Sequence, residues 1–217
     1  MTRVKRIKCG NGNCYIVSEN ENAVLIDTCK SDSVYKILHI CKPYSIRLIL
    51  LTHGHFDHAQ NAAALSKELN APIAMHRADL QLLADNNSQP LGYKGLLGKI
   101  VLNASLKSFK SEKIPLFTPT VFLDEGDSLE EYGIRAKILH LPGHTDGSIA
   151  VDVAEEHLFV GDALMNMFYP TTSMIFHDKA EMLKSAERIS SLGKRTIYFG
   201  HGKPKQNRNW ILNANGA

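Results

Sequence analysis

Two short apolar runs, residues 14–18 and 23–27, flank the polar segment Glu19, Asn20, Glu21, Asn22 and predict a β-hairpin. The period then changes: Val34, Ile37, Leu38 and Cys41 recur at helical spacing within residues 31–41, and the pattern stops before Pro43. Residues 46–51 form an apolar run broken only by Arg47, as expected of a strand covered on both faces. That strand leads directly into a group of histidines. Residues 59–70, rich in Ala and Leu, predict a helix, followed by a strand at 72–75 and a short helix at 77–84. From residue 121 the pattern turns to strands at 121–123, 134–141, 148–153 and 157–160, with a turn at Glu125, Gly126, Asp127. A helix at 179–192 and a strand at 196–199 follow, the strand ending at Gly200, His201, Gly202. Two halves that each mix strands with helices predict an α/β fold of two mixed sheets packed together, with helices on the outer faces.

Residues 92–113 interrupt this plan with three glycines, five lysines and one glutamate around an apolar stripe at Leu97, Val101 and Ala104. Two readings stand: an inserted lid over a site, or an amphipathic helix that covers the core.

A chain of 217 residues, 44% hydrophobic and 22% charged, fits one globular domain over residues 1–217 and sets aside disorder and coiled coil. Net charge is +3 with Lys and Arg scattered, so nucleic acid is not an expected partner. Residues 1–8 are basic but no long apolar stretch follows, which argues against a signal peptide or transmembrane segment and for a cytoplasmic protein. Cys9, Cys14, Cys29 and Cys41 make no C-x-x-C pair and are expected as reduced thiols.

The chemistry concentrates in His53-Gly54-His55-Phe56-Asp57-His58. Imidazole and carboxylate bind borderline divalent metals, and four such groups within six residues at a strand end point to a metal site.

This H-x-H-x-D-H pattern resembles the signature of the metallo-β-lactamase superfamily. The likeness extends to Leu25-Ile26-Asp27-Thr28, Pro142-Gly143-His144, Phe159-Val160-Gly161-Asp162 and Phe199-Gly200-His201-Gly202, in the family's order. It implies an αββα sandwich and a centre of two divalent ions, zinc foremost, with iron or manganese suited to the same ligands. By the same resemblance His53, His55 and His144 hold the first ion, Asp57, His58 and His201 the second, and Asp162 bridges both. Asp57 and Asp162 then count as catalytic. Asp27 is placed to orient a ligand histidine, or is simply a turn residue at a strand end.

Where the sequence departs from the family's branches, the expected function narrows. His58 stands where the main β-lactamase branch has Arg, and His55 where flavodiiron proteins have Glu. Ala163 to Tyr169 lacks the Gly-Cys-Gly-Arg segment of glyoxalase II, and the short stretch after His201 leaves no helical glutathione-binding tail. The lactonase branch has a tyrosine near Met165; Tyr169 lies further on, and His177 follows the same loop. These three are the candidates for a substrate pocket. The implied activity is hydrolysis of a small ester, thioester or lactone by a hydroxide formed at the dinuclear centre. The alternatives are an oxygenase of sulfur compounds with a single iron, and a phosphodiesterase.

Overall fold

The predicted hairpin is the second half of an antiparallel meander formed by β1 (Arg3–Cys9), β2 (Gly12–Glu19) and β3 (Asn22–Ile26) in this computed structural model, which describes residues 1–211. There follow α1 (Val34–Cys41), β4 (Ser45–Leu50), α2 (Phe56–Ala59), α3 (Ala62–Leu69), β5 (Ile73–Met75), α4 (Leu80–Ala84), β6 (Gly92–Tyr93), α5 (Gly95–Ser111) and β7 (Val121–Phe122). The second half comprises β8 (Ala136–His140), β9 (Ile149–Val153), β10 (His157–Gly161), β11 (Leu164–Met165), β12 (Thr171–Thr172) and β13 (Ile175–Phe176). It closes with α6 (Lys179–Ser191), β14 (Thr196–Phe199) and β15 (Lys205–Gln206).

Six strands pair in the order β1-β2-β3-β4-β5-β7 and five in the order β15-β14-β10-β9-β8. Both sheets are mixed: β3, β4, β5 and β7 run parallel, as do β10 and β14. Alternation along the strands builds three apolar layers. Tyr15, Val17, Val24, Leu48 and Leu50 of the first sheet meet Ile138, Val151 and Phe159 of the second. On the outer face of the first sheet, Ile16, Leu25 and Ile49 pack under Ile37 of α1 and Leu65 of α3. On the outer face of the second, Ala150, Leu158 and Ile197 pack under Ala186 and Ile189 of α6. The result is the αββα sandwich expected from the two mixed halves. Asp178 caps α6 by accepting from the backbone N–H groups of Ala180 and Glu181, a contact worth about 1 kcal/mol. Among the described residues no helix is long and apolar enough to cross a membrane.

One local feature carried no expectation from the sequence, and two differ from what the sequence predicts. The basic N-terminal stretch is a strand, because pairing with β2 leaves Lys5 and Lys8 in solvent while Ile7 and Cys9 face inward. The helix expected at 59–70 is two helices, and its break is tethered by side chains. Asn61 donates to the carbonyl of Thr28, and Gln60 donates to that of Lys113. In α5 the inward stripe is Gly98, Val101, Leu102 and Phe109 rather than Leu97, Val101 and Ala104; Leu97 and Ala104 are exposed.

Candidate metal centre

Every loop that carries a candidate ligand leaves the carboxyl end of a strand. β4 runs into His53, His55, Asp57 and His58; β8 leads to His144, β10 to Asp162 and β14 to His201. The folded chain gathers these seven side chains at one edge of the sandwich. Coordinating atoms of His53, His55 and His144 lie within 4.8 Å of one another, as do those of Asp57, His58 and His201, and those of His53, His58 and Asp162. Asp162 sits between the two groups: its Oδ2 is 3.3 Å from His201 Nε2 and 3.9 Å from His144 Nε2, and its Oδ1 is 3.6 Å from His58 Nε2.

One ring nitrogen of most of these histidines is already engaged away from the centre. His144 Nδ1 donates to the carbonyl of Ile175 at 2.9 Å, and His201 Nδ1 to that of Asn11 at 3.0 Å. His58 Nδ1 meets Asp27 Oδ2 at 2.9 Å. The same Asp27 carboxylate accepts from the backbone N–H and hydroxyl of Thr52, whose Oγ1 lies 3.2 Å from His53 Nδ1. Asp27 therefore fixes two rings at once, its backbone bent into the left-handed region at φ +60 to reach them. The opposite edges converge inward. Among the described residues, Nε2 of His53, His55 and His58 and Oδ1 of Asp162 are buried without a hydrogen bond. Buried donors and acceptors are rarely left so, and three of these belong to His53, His58 and Asp162, one close group that fits the ligand set of a cation; His55 instead meets the centre through Nδ1, 3.0 Å from His144 Nε2.

The electrostatics divide along the same line. Burial drives His53 and His55 down, His55 to about 3, so their imidazoles are neutral lone-pair donors. Burial also opposes charge on His58, but Asp27 and Asp162 outweigh it and hold this ring up at about 9. His201 is raised in the same way, against its burial, by Asp162 and Asp57. Burial works against ionised Asp162, yet His201 and His58 bring it to about 2. Two buried carboxylates thus call for positive charge beside them, and divalent cations meet that need as well as protons do.

Some of the supporting residues carry no sequence signal. Asp79 is fully buried and accepts from the N–H of Gly54 at 2.9 Å, the N–H of Gly147 at 2.7 Å and the hydroxyl of Thr145 at 2.7 Å. It clamps the His53–His55 loop to the His144 loop so tightly that a Cβ on Gly147 would stand 2.7 Å from its Cγ. Because its removal strands several buried donors, Asp79→Ala is expected to cost about 3 kcal/mol or more in urea unfolding. An unchanged unfolding midpoint would remove the clamp assignment. Phe109 of α5, also unanticipated, stacks on His55 with ring centroids 5.2 Å apart.

Beside the centre lies a cavity of about 450 Å³ with Asp57 and His201 in its wall. Phe56, Ile100 and Val101, Met167 and Phe168 supply its apolar lining, with Lys30 and Asp32 among its polar groups. The three residues expected in a substrate pocket are not in this lining. Met165 is buried in a core cluster with Val101 and Met174, because β11 pairs with β12 and turns it inward. Tyr169 is about half exposed, and His177 is tied to the carbonyl of Pro90 at 2.8 Å.

Two packed mixed sheets with histidines and aspartates gathered at the carboxyl ends of their strands define a metallohydrolase of the sandwich class. The chain belongs to the metallo-beta-lactamase superfamily, whose family model matches residues 7–201; its members are generally hydrolytic and bind divalent metals. The chain is similar to an uncharacterized protein of Mycobacterium tuberculosis, 28% identical over 204 residues that span 88% of this chain and 85% of the relative. It is also 28% identical to the hydroxyacylglutathione hydrolase of Pelagibacter ubique, over 96% of this chain and 74% of that protein. Among solved structures, BLEG-1 B3 metallo-beta-lactamase shares the fold with a TM-score of 0.75 at 24% identity, covering 97% of both chains. TTHA1623 in a di-iron-bound form has a TM-score of 0.68 at 26% identity, again over 97% of each chain.

Proposed function

We propose that this hydrolase cleaves a small acyl substrate, an ester, thioester or lactone, with two divalent ions held by His53, His55 and His144, by Asp57, His58 and His201, and by Asp162 shared between them. The observation that carries the reading is the cavity: its volume and apolar lining suit a small molecule, and it reaches the centre at Asp57 and His201. When bound, the two ions supply Lewis acidity toward a substrate oxygen and bring the ionisation of water near neutral pH. The protein's own share is positional. Asp27, Ile175 and Asn11 hold the imidazoles in one orientation, Asp162 ties the two halves of the centre, and Phe56, Met167 and Phe168 place the acyl group against it while excluding water. Within residues 92–113, α5 shapes access by presenting Ile100, Val101, Ala104 and Ser105 to the cavity.

A polyanion finds little here, since among the described residues Lys30 is the one lysine or arginine in the lining and Asp32 accompanies it. The thioester class gains support from the hydroxyacylglutathione hydrolase relative, and two ions from the neighbour in a di-iron form. Zinc and iron both suit the ligands. A complete second ligand group, Asp57 with His58 and His201, favours this reading over an oxygenase with a single iron. The test is elemental analysis of purified protein combined with a screen of esters, thioesters, lactones and phosphodiesters. About two ions per chain and acyl turnover lost in Asp57→Ala are expected. One tightly held iron, or phosphodiester turnover above that of every acyl compound, would overturn it.

A further inference from the structure

Beside the His/Asp centre the fold assembles a second group of potential ligands, made of sulfur. Cys9 ends β1 and Cys14 lies on β2; the register that pairs Cys9 with Gly12 and Ile7 with Cys14 puts the two thiols on one face, two residues apart. Cys29 joins them from the segment after β3, its backbone in the left-handed region at φ +58, where a residue with a Cβ is strained. The three Sγ atoms lie within 4.8 Å of one another, all three thiols are free, and all three are buried. Cys9 and Cys29 also line the cavity that holds Asp57 and His201.

We propose that Cys9, Cys14 and Cys29 form a three-thiolate site for a soft metal ion, separate from the His/Asp centre and opening on the same cavity. Thiolates bind zinc at about 2.3 Å, which sets sulfurs roughly 3.8–4.0 Å apart, so closing on an ion requires a contraction of no more than about 1 Å. Sulfur donors select soft ions such as Cu(I) over the harder ions that nitrogen and oxygen accept, so the two sites sort metals by chemistry. The surroundings supply part of the charge balance. Lys36 donates to the carbonyl of Lys8, next to Cys9, and its charge favours a thiolate there. Hydrogen bonds from the Cys14 and Cys29 thiols are the larger cause and hold Cys9 below the ordinary thiol range. The Cys14 thiol favours charge on Cys29, but Cys9, burial and Asp27 outweigh it and raise this thiol, and burial raises Cys14 as well; a bound cation offsets these effects. Each thiol releases its proton to solvent as its sulfur binds, and no electron is transferred.

The experiment uses reduced, zinc-loaded protein titrated with Cd(II). The His/Asp centre contains no sulfur, so the ultraviolet thiolate-to-cadmium charge-transfer absorption reports the cysteine site alone. It should saturate at one ion per chain, and Cys9→Ser or Cys29→Ser should weaken cadmium binding about tenfold or more. Cys41→Ser, which removes a buried thiol outside the cluster, should leave the titration unchanged. Absence of the absorption in the wild type, or equal losses in Cys41→Ser and Cys9→Ser, would overturn the site. If the serine variants do not fold, alkylation of native wild type decides: cadmium should protect Cys9 and Cys29, and labelling unaffected by cadmium would overturn it.

Discussion

Replacing Gly200 by alanine, the addition of one methyl group, is expected to lower turnover by about 100-fold or more, since displacing a reactive group by ~1 Å has that effect. A Cβ built there stands 2.3 Å from Asp162 Oδ1 and 2.6 Å from His58 Cε1. Neither neighbour is the free end of a flexible chain: His58 is held by Asp27 on one side and Asp162 lies among three imidazoles. The strain has to be relieved by moving the carboxylate that joins the two ligand groups. Stability should fall as for an overpacked core, by about 1–3 kcal/mol. Metal content and initial rates measure the outcome, and values within twofold of wild type would show that the neighbourhood yields.

The second large effect concerns the shared carboxylate itself. Asp162→Ala should reduce metal content at both positions, whereas His201→Ala should empty mainly the group it forms with Asp57 and His58. Truncating Asp162 removes a charge that His58, His144 and His201 all face; losing His201 leaves His53, His55 and His144 with their partners intact. Two dialysed variants and a metal analysis separate the cases. Equal occupancy in wild type and Asp162→Ala would dissolve the bridging role.

The legible part of this site is the part that lies close in sequence. Residues 46–51 read as a buried strand because nearly every position is apolar, and that pattern alone puts His53, His55, Asp57 and His58 at a strand end. His144, Asp162 and His201 sit among ordinary glycine turns and are recognisable only through resemblance to a family. Asp79 is not legible at all. An aspartate in the first turn of a short helix is an everyday solvent-facing residue, and its burial depends on two loops arriving from residues 54 and 147. Strand β1 is hidden for the opposite reason: its exposed lysines dominate the composition, although its side chains alternate in exposure along the strand. In the loop after Asp162, composition indicates an apolar wall, but the two-residue pairing of β11 with β12 decides which methionine faces the cavity, and a pairing so short leaves no periodicity to read.

The first strands are fastened to the last by Asn13, which donates to the carbonyls of Phe199 and Gly202, and by Tyr15, whose hydroxyl donates to Phe199 at 2.6 Å. Asn13 and Phe199 are 186 positions apart. On a ribosome adding about 5–20 residues per second, the meander therefore waits on the order of 10–40 s for the strand that completes it. During that interval the face of β2 that carries Asn13 and Tyr15 and the histidines of the β4 loop are exposed without their partners, and such non-local closure is intrinsically slow. Metal capture is thus a late event in the life of each chain, and β14 is the gate: substitutions that weaken it should show first as poor yield of folded protein in the cell, before any fault is visible in the enzyme that survives.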